Sequence, residues 1–237
     1  MLPCDPVAGG DPRVMKILTE KHLAIFRGHM VDVIGVHAEL SRGEIGRSEL
    51  DERVLAVMRD VPRHLFVPSA VAPAAYEDTP LPIGFNKTIS QPFMVALMTD
   101  LLDLRPADHV LEVGTGLGYQ TAILARLTAQ VWSVEIVEEF AESAQERLNR
   151  LAIENVKIRV GDGSRGWAEH APYDKVLVAA GAKEVPTALI AQLKPGGRLV
   201  MPLGPAEDQR LSVVKKDAGD SLETRGIMPV RFSELEI

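Results

Sequence analysis

Cysteine is almost missing from this chain of 237 residues; Cys4 is the only one. A single thiol cannot build a disulfide framework or a cysteine-based metal site. Long apolar runs are missing too. The longest, Val176–Ala182, falls far short of the roughly 20 residues a membrane-crossing helix needs. The N-terminus carries Asp5 and Asp11 and no apolar stretch ahead of a cleavage site, so no signal peptide is expected and a cytoplasmic location is the default. Positive charge is in deficit: 26 Lys and Arg against 33 Asp and Glu leave a net charge of −7. That argues against a general nucleic-acid binder, which needs a basic face. No internal repeat and no low-complexity tract is present. What remains is 46% apolar and 25% charged residues, the balance of one large α/β domain with an appendage.

The chain divides into three parts. Residues 1–12 are rich in Pro, Gly and Asp and are expected to be loose. Residues 13–87 read as an N-terminal helical and loop region packed on a core. Arg13 to Leu40 is helical in pattern, with Ile17, Leu18, Ile25, Val33 and Leu40 on roughly one side. His22, His29 and His37 lie along it about 10 Å apart at helical rise, too far for one metal. They read as surface or packing residues, and no metal is expected. Ser48 is the expected N-cap of a second helix, with Asp51 in the capping-box place and Leu50, Val54, Leu55 and Met58 buried. Positions 71–86 read as a long loop, and Ser90 as the N-cap of a helix carrying Phe93, Leu97, Leu101 and Leu102 inward. Residues 88–237 form the core. From Val110 the order is strand, helix, strand, helix, strand, loop, strand, helix, strand, with a tight turn at 195–197 before the fifth strand and two more strands near the C-terminus. Such alternation gives an α/β fold with a Rossmann-like, doubly wound, mostly parallel sheet.

The most informative stretch is VLEVGTGLG at Val110–Gly118. A buried strand runs into Gly114, Gly116 and Gly118 and then straight into a helix. Glycine permits positive φ and close approach of a ligand, and the helix start offers free amides. The spacing is GxGxG, with Tyr119 where a dinucleotide fingerprint would place its last glycine. Acidic residues surround this loop: Glu112 on the strand, Glu135 at the end of the second strand, and Asp162 between Gly161 and Gly163 after the third. Glu135 is placed to accept from two ribose hydroxyls, Asp162 to accept an exocyclic adenine amine, and Gly163 to let the base approach. Glu112 can help hold a cationic amino end. Glu135 and Asp162 each read equally well, taken alone, as strand-end caps. Together the acids disfavour a pyrophosphate and suit S-adenosylmethionine, whose sulfonium and amino groups are cationic.

The segments VPRHLFVP (Val61–Pro68), YEDTPLPI (Tyr76–Ile83), TISQP (Thr88–Pro92), Val110–Gly118, GDG (Gly161–Gly163) and PGGR (Pro195–Arg198) occur in an order that resembles the protein-L-isoaspartate O-methyltransferases. The match covers roughly residues 50–216, and TISQP is its most specific element. The resemblance implies a class I methyltransferase fold with an N-terminal helical extension. It implies methyl transfer from S-adenosylmethionine to the free α-carboxyl of L-isoaspartyl residues in damaged proteins and peptides, a repair reaction in which the ester closes to a succinimide. It places Thr88, Ile89, Ser90, Gly114, Gly116, Glu135, Asp162, Gly163 and Gln209 at the cofactor, Gln209 only by its distance from Gly204. It makes Ser90 the residue that orients the acceptor carboxylate, helped by a helix N-terminus that favours an anion. Tyr76 to Ile83 becomes a floor or lid over the peptide, and His64 either touches the acceptor or is a buried, hydrogen-bonded histidine.

Three features depart from the family pattern. Residues 1–28 match no segment of it. Asn86 stands where glycine is frequent, although asparagine tolerates the left-handed backbone. The C-terminus reads VRFSELEI (Val230–Ile237) where the family continues with apolar residues and proline. Two other readings therefore stay open: a carboxyl or O-methyltransferase acting on a specialised peptide or small molecule, and a non-catalytic S-adenosylmethionine-binding adaptor. An NAD-dependent oxidoreductase fails on the loop spacing.

Overall fold

The structure is a computed structural model and describes residues 19–237. The expected loose segment 1–12, Cys4, and Ile17 and Leu18 of the expected first helix lie outside the described residues. The first helix, α1, spans Glu20–Leu40. Thr19 caps it: its hydroxyl accepts from the His22 amide while the His22 ring accepts from the Thr19 amide, a capping box with histidine in the third place. The buried stripe is Leu23, Arg27, Met30, Ile34 and Ala38, whereas Ile25 and Leu40 are exposed. Both sets satisfy helical spacing. Arg27 favours the observed one, because its guanidinium donates to the Arg59 carbonyl and to Glu20 from the inward face.

A single turn, α2 (Arg42–Ile45), closes on Gly46 at φ 83°. Helix α3 (Glu52–Asp60) buries Val54 and Met58. Its N-cap is Asp51, not Ser48: the short aspartate accepts from the Arg53 amide ahead of it instead of reaching back as a glutamate would. The expected long loop contains more order than its prolines suggested. After 3₁₀ turns at Arg63–Phe66 and Ala72–Ala74, β1 (Leu81–Gly84) and β2 (Lys87–Ile89) form an antiparallel hairpin. Asn86 takes the expected left-handed backbone at φ 55°, and Phe85 takes it as well at φ 49°, the two-residue turn that suits strand twist. Helix α4 (Pro92–Leu101) is buried along its whole length.

The core then alternates: β3 (His109–Val113), α5 (Tyr119–Leu127), β4 (Gln130–Glu135), α6 (Glu138–Arg150), β5 (Val156–Val160), β6 (Tyr173–Val178), α7 (Thr187–Ala191), β7 (Leu193–Leu203), β8 (Gln209–Lys216) and β9 (Leu222–Val230). The expected turn at 195–197 lies inside β7, where Gly196 at φ 79° lets the strand bend without ending. The sheet order is β5-β4-β3-β6-β7-β8-β9, parallel from β5 through β7 and antiparallel across β7/β8 and β8/β9. It is the doubly wound, mostly parallel sheet that the alternation implied. Successive residues of each strand feed two apolar clusters, one on each face. Val110, Val131, Leu177 and Val200 pack beneath α1, α3, α4, α5 and α6. Leu111, Val134, Val176 and Leu199 pack with Trp167, Tyr173 and Leu189 of α7. The helical extension thus adds to the first cluster rather than forming a core of its own.

The chain leaves β3 toward β4 on one side, and β6 later docks on the other. That divergence opens a crevice at the carboxyl end of β3, where ligands of such sheets bind. Gly118 fixes the exit of the chain into α5: its φ is 93°, and a Cβ there would lie 3.1 Å from the Ala144 Cβ of α6. Gly118→Ala should lower the unfolding free energy by about 2 kcal/mol, the cost of a left-handed L-residue. Urea denaturation checks this, and an unshifted midpoint would contradict it.

Candidate functional site

The crevice at the end of β3 continues into a cleft of about 560 Å³. Its first wall is the loop after β3. Gly114 (φ 92°) and Gly116 (φ 54°) both hold left-handed backbone, yet a Cβ on either would meet nothing closer than 3.4 Å. Backbone conformation rather than crowding requires glycine here. Gly116 faces the neighbouring strand end, where its amide donates to Glu135 Oε2 at 2.7 Å. Glu135 Oε1 accepts from the Val137 amide at 3.0 Å, so one carboxylate ties the glycine loop to the start of α6. The Glu135 carboxylate lines the cleft with one amide on each oxygen, leaving lone pairs for a ligand's hydroxyl groups.

Not every predicted residue reaches this space. Glu112 is fully buried behind the loop and does not line the cleft. Its Oε2 accepts from Thr121 and Ser133, both at 2.6 Å, and its Oε1 has no partner among the described residues. Thr115, which does line the cleft, shares a hydrogen bond with Ser133, so Glu112 reaches the ligand space only through two hydroxyls. The Asp162 carboxylate is turned onto its own 3₁₀ turn, accepting from the Ser164 amide and hydroxyl and from Arg165. The Ser164 hydrogen bond foremost, with its amide and Arg165, holds this carboxyl below the usual range. Gly163 lines the cleft, but its missing Cβ serves packing, since one would fall 2.3 Å from Val113 Cγ1. Gln209 is placed elsewhere altogether. It is buried, its Oε1 accepting from the Phe232 amide and its Nε2 donating to the Phe232 carbonyl. Sequence distance from Gly204 pointed it at the cofactor; β8–β9 pairing places it behind the C-terminal segment.

The opposite wall is the stretch from Lys87 to Gln91, with Thr88, Ile89 and Ser90 all lining the cleft. Ser90 is not the cap of α4. Gln91 holds that place, followed by Pro92 at the first helical position. The anion at this helix N-terminus is Asp78, whose Oδ1 accepts from the Phe93 amide at 2.7 Å. Asp78 Oδ2 accepts from Gln91 Nε2 and lies 2.5 Å from His37 Nδ1 of α1. The Phe93 amide is therefore already engaged, and the Ser90 hydroxyl is left without a partner among the described residues. Behind it, Arg63 is fully buried and donates through Nη2 to the Ser90 carbonyl at 2.8 Å and through Nε to the Ala75 carbonyl at 2.9 Å. His64 shares a 2.6 Å hydrogen bond with the Tyr76 hydroxyl and does not line the cleft; burial lowers its pKa.

A third wall was only partly legible. Residues from Met228 to Glu236 line the cleft mouth. This strap pairs in parallel with Gly181, which donates to the Ser233 carbonyl and accepts from the Leu235 amide, both at 2.8 Å. Lys87 of β2 meets Glu236 across the mouth. The sequence marked this segment as a departure from the family pattern, but its place needed long-range contacts. Asp78 and Arg63 lay within recognised segments, yet nothing local revealed that they bracket Ser90.

The family model for protein-L-isoaspartate(D-aspartate) O-methyltransferase (PCMT) matches residues 40–236. Protein-L-isoaspartate O-methyltransferase 1 of Polaromonas sp. (strain JS666) is 53% identical over 219 residues, covering 92% of this chain and 93% of the relative. The protein of the same description from Cupriavidus necator is 49% identical over 99% of this chain and 87% of its own length. The Cupriavidus necator relative thus aligns with nearly all of residues 1–28, whereas the family model begins at residue 40. Among solved structures, a protein-L-isoaspartate O-methyltransferase superposes with a TM-score of 0.78 at 28% identity, over 89% of this chain and 66% of that one. A Plasmodium falciparum protein assigned to the same activity, solved in complex with S-adenosyl-L-homocysteine, gives 0.69 at 27% identity over 78% and 91%.

Glu112 gives the fold a pH signature. Burial, opposed by the Ser133 and Thr121 hydroxyls, pushes its carboxyl from 4.5 up to about 7. The folded chain then holds this proton more tightly than the unfolded one. Its stability contribution is complete below pH 4.5 and is lost as pH rises through about 7. Glu112→Gln has no such proton. Relative to the parent it should gain stability between pH 5 and pH 8, by about 3 kcal/mol at most at 1.36 kcal/mol per pKa unit. Urea unfolding at both values measures the gain; the same difference at each pH would rule out a raised Glu112.

Proposed function

The chain belongs to the protein-L-isoaspartate(D-aspartate) O-methyltransferase family, and on that premise we propose that its cleft transfers a methyl group from S-adenosylmethionine to the free α-carboxyl of L-isoaspartyl residues. The observation that carries this reading is one juxtaposition. The family-specific TISQP stretch, with its unpartnered Ser90 hydroxyl, faces the same cleft as Gly114, Gly116 and Glu135. The proposed partners are isoaspartyl-bearing proteins and peptides, and the proposed setting is the cytoplasm.

The residues present fit the methyl donor. The cleft volume lies within the usual range of about 300–1,000 Å³ for small-molecule sites. Left-handed backbone at Gly114 and Gly116 lets a ligand approach the main chain with no side chain at those positions. Glu135 supplies an acceptor in the place suited to ribose hydroxyls and would repel a pyrophosphate. Glu112 and Gln209 have no part in this proposal, and from the GDG turn only Gly163 does. When bound, S-adenosylmethionine supplies an activated methyl on a cationic sulfur and leaves as S-adenosylhomocysteine.

The protein then has little covalent chemistry to do. An acceptor carboxylate has an ordinary pKa near 4 and is ionised at neutral pH, so no general base is needed. Orientation and exclusion of water carry the rate. Ser90 donates its free hydroxyl to the acceptor carboxylate and sets its approach. Asp78 holds the following residues still by occupying the α4 N-terminus, so the serine need not cap the helix. Ile83, Phe93, Met94 and Phe140 give the cleft apolar walls, and the strap narrows its mouth.

The deciding experiment incubates the protein with labelled S-adenosylmethionine and matched L-isoaspartyl and L-aspartyl peptides. Base-labile label is expected only on the isoaspartyl peptide. Equal label on the aspartyl peptide would point to a diverged acceptor, and donor binding without transfer to a non-catalytic adaptor. Ser90→Ala should lose about 10- to 100-fold in kcat, the scale of a misplaced reactant, while S-adenosylhomocysteine affinity stays within about threefold. Parallel losses in both quantities would remove Ser90 from the acceptor.

A further inference from the structure

Arg63 is a buried cation that the proposed chemistry does not use. Its side chain is completely shielded from solvent. Burial lowers its pKa to about 10, which leaves it charged at neutral pH. No carboxylate lies within ion-pair distance among the described residues. Its neighbours are two neutral carbonyls, those of Ala75 and Ser90, and the ring of Tyr119, whose centroid is 4.9 Å from Cζ. Its Nη1 and the Tyr119 hydroxyl are buried without partners among the described residues. Asp78 offsets this charge only from beyond ion-pair distance, a buried cation is costly, and merely bridging two carbonyls would not require one.

The place of Ser90 suggests what the charge is for. Ser90 lies between the end of β2 at Ile89 and the first residue of α4, Pro92, and belongs to neither element. Pro92 has no amide hydrogen with which to anchor the junction. Asp78 grips the chain just beyond, at Gln91 and Phe93. On Ser90 itself the described hold is the Arg63 hydrogen bond to its carbonyl. The fork geometry of a guanidinium lets one side chain hold the 3₁₀ region at Ala75 and the Ser90 peptide in a fixed relation. Its charge also stands behind the position where an anionic acceptor would dock. Tyr119, over which it lies, is itself a wall of the cleft.

We propose that Arg63 is a positioning residue for methyl transfer: it fixes the Ser90 peptide from behind, so that the Ser90 hydroxyl meets the acceptor carboxylate in one orientation. This rests on the reading of Ser90 given above, and a double-mutant cycle separates the two. The variants are Arg63→Met, Arg63→Lys, Ser90→Ala and both doubles. Rates are expressed per site titrated with S-adenosylhomocysteine, so unfolded protein does not count. Arg63→Met should lower kcat by about 10- to 100-fold with S-adenosylhomocysteine affinity within about threefold. Arg63→Lys keeps the charge but cannot fork to both carbonyls, and should recover part of the loss. In the Ser90→Ala background either Arg63 substitution should cost less than about threefold, because the group it orients is gone.

Equal fold losses with and without the Ser90 hydroxyl would overturn the proposal, as would fewer titrated sites working at full parental rate. Should Arg63→Met yield no binding-competent protein, the Arg63→Lys arm completes the cycle alone. Failure of the Ser90 reading shows separately, as a Ser90→Ala single variant with parental kcat while Arg63 is intact.

Discussion

The turn that ends β3 constrains everything around it. Three glycines in left-handed backbone carry the chain from the centre of a parallel sheet into α5. Glu135 fixes that turn from the adjacent strand, with one carboxylate oxygen on the Gly116 amide and the other on the Val137 amide. The same hydrogen bonds that hold the loop hold the carboxylate in place. Ligand acceptor and loop anchor are thus one group, and neither can be changed without the other. Gly118 extends the constraint outward, since its contact with Ala144 sets how closely α5 and α6 lie.

The facing wall is built on a different plan. It comes from chain before the sheet, and polar groups gripping backbone hold it more than regular structure does. Asp78 satisfies the α4 N-terminus, Arg63 holds the carbonyl before it, and both contacts span well over ten residues of sequence. His37 brings α1 to Asp78, while Arg27 of α1 and His64 both reach the Tyr76 hydroxyl. The helical extension therefore braces the segment that carries Ser90. A cap by Ser90 itself would have consumed the hydroxyl that the proposed chemistry needs. By giving that task to a buried aspartate, the fold keeps the serine free.

This division explains what could be read before the structure. The alternation of β3 through β7, the glycine loop and Glu135 are local: apolar runs, glycines and strand ends state their own roles. Ser90 and its neighbours were legible as a family pattern and as a helix opening, but the choice of Gln91 over Ser90 as cap depended on Asp78, which is remote in sequence. Glu112 sat on the right strand, yet a sheet covered on both faces sends alternate side chains away from the ligand. Gln209 pairs with Phe232, which comes from the far end of the chain and could not be read locally. On α1, two apolar faces of equal spacing competed, and the hydrogen bonds of Arg27 favoured one. Local signals named the elements; side-chain direction required the neighbours.

The acceptor end of the cleft follows from that logic. Its donor side rests on strand ends and backbone, where few residue types are tolerated. Its mouth rests on the strap from Met228 to Glu236 and on the β1–β2 hairpin, which meet through Lys87 and Glu236. The strap is anchored by its backbone at Gly181, by the Gln209 clamp on Phe232, and by Met228, Val230, Phe232 and Leu235, which pack on the two apolar clusters. Arg231, Ser233 and Glu234 line the cleft without belonging to either cluster. The VRFSELEI ending, with its acids where apolar residues were expected, lies in that segment. Its difference from the family pattern therefore falls on the strap at the cleft mouth and not on the glycine loop or Glu135.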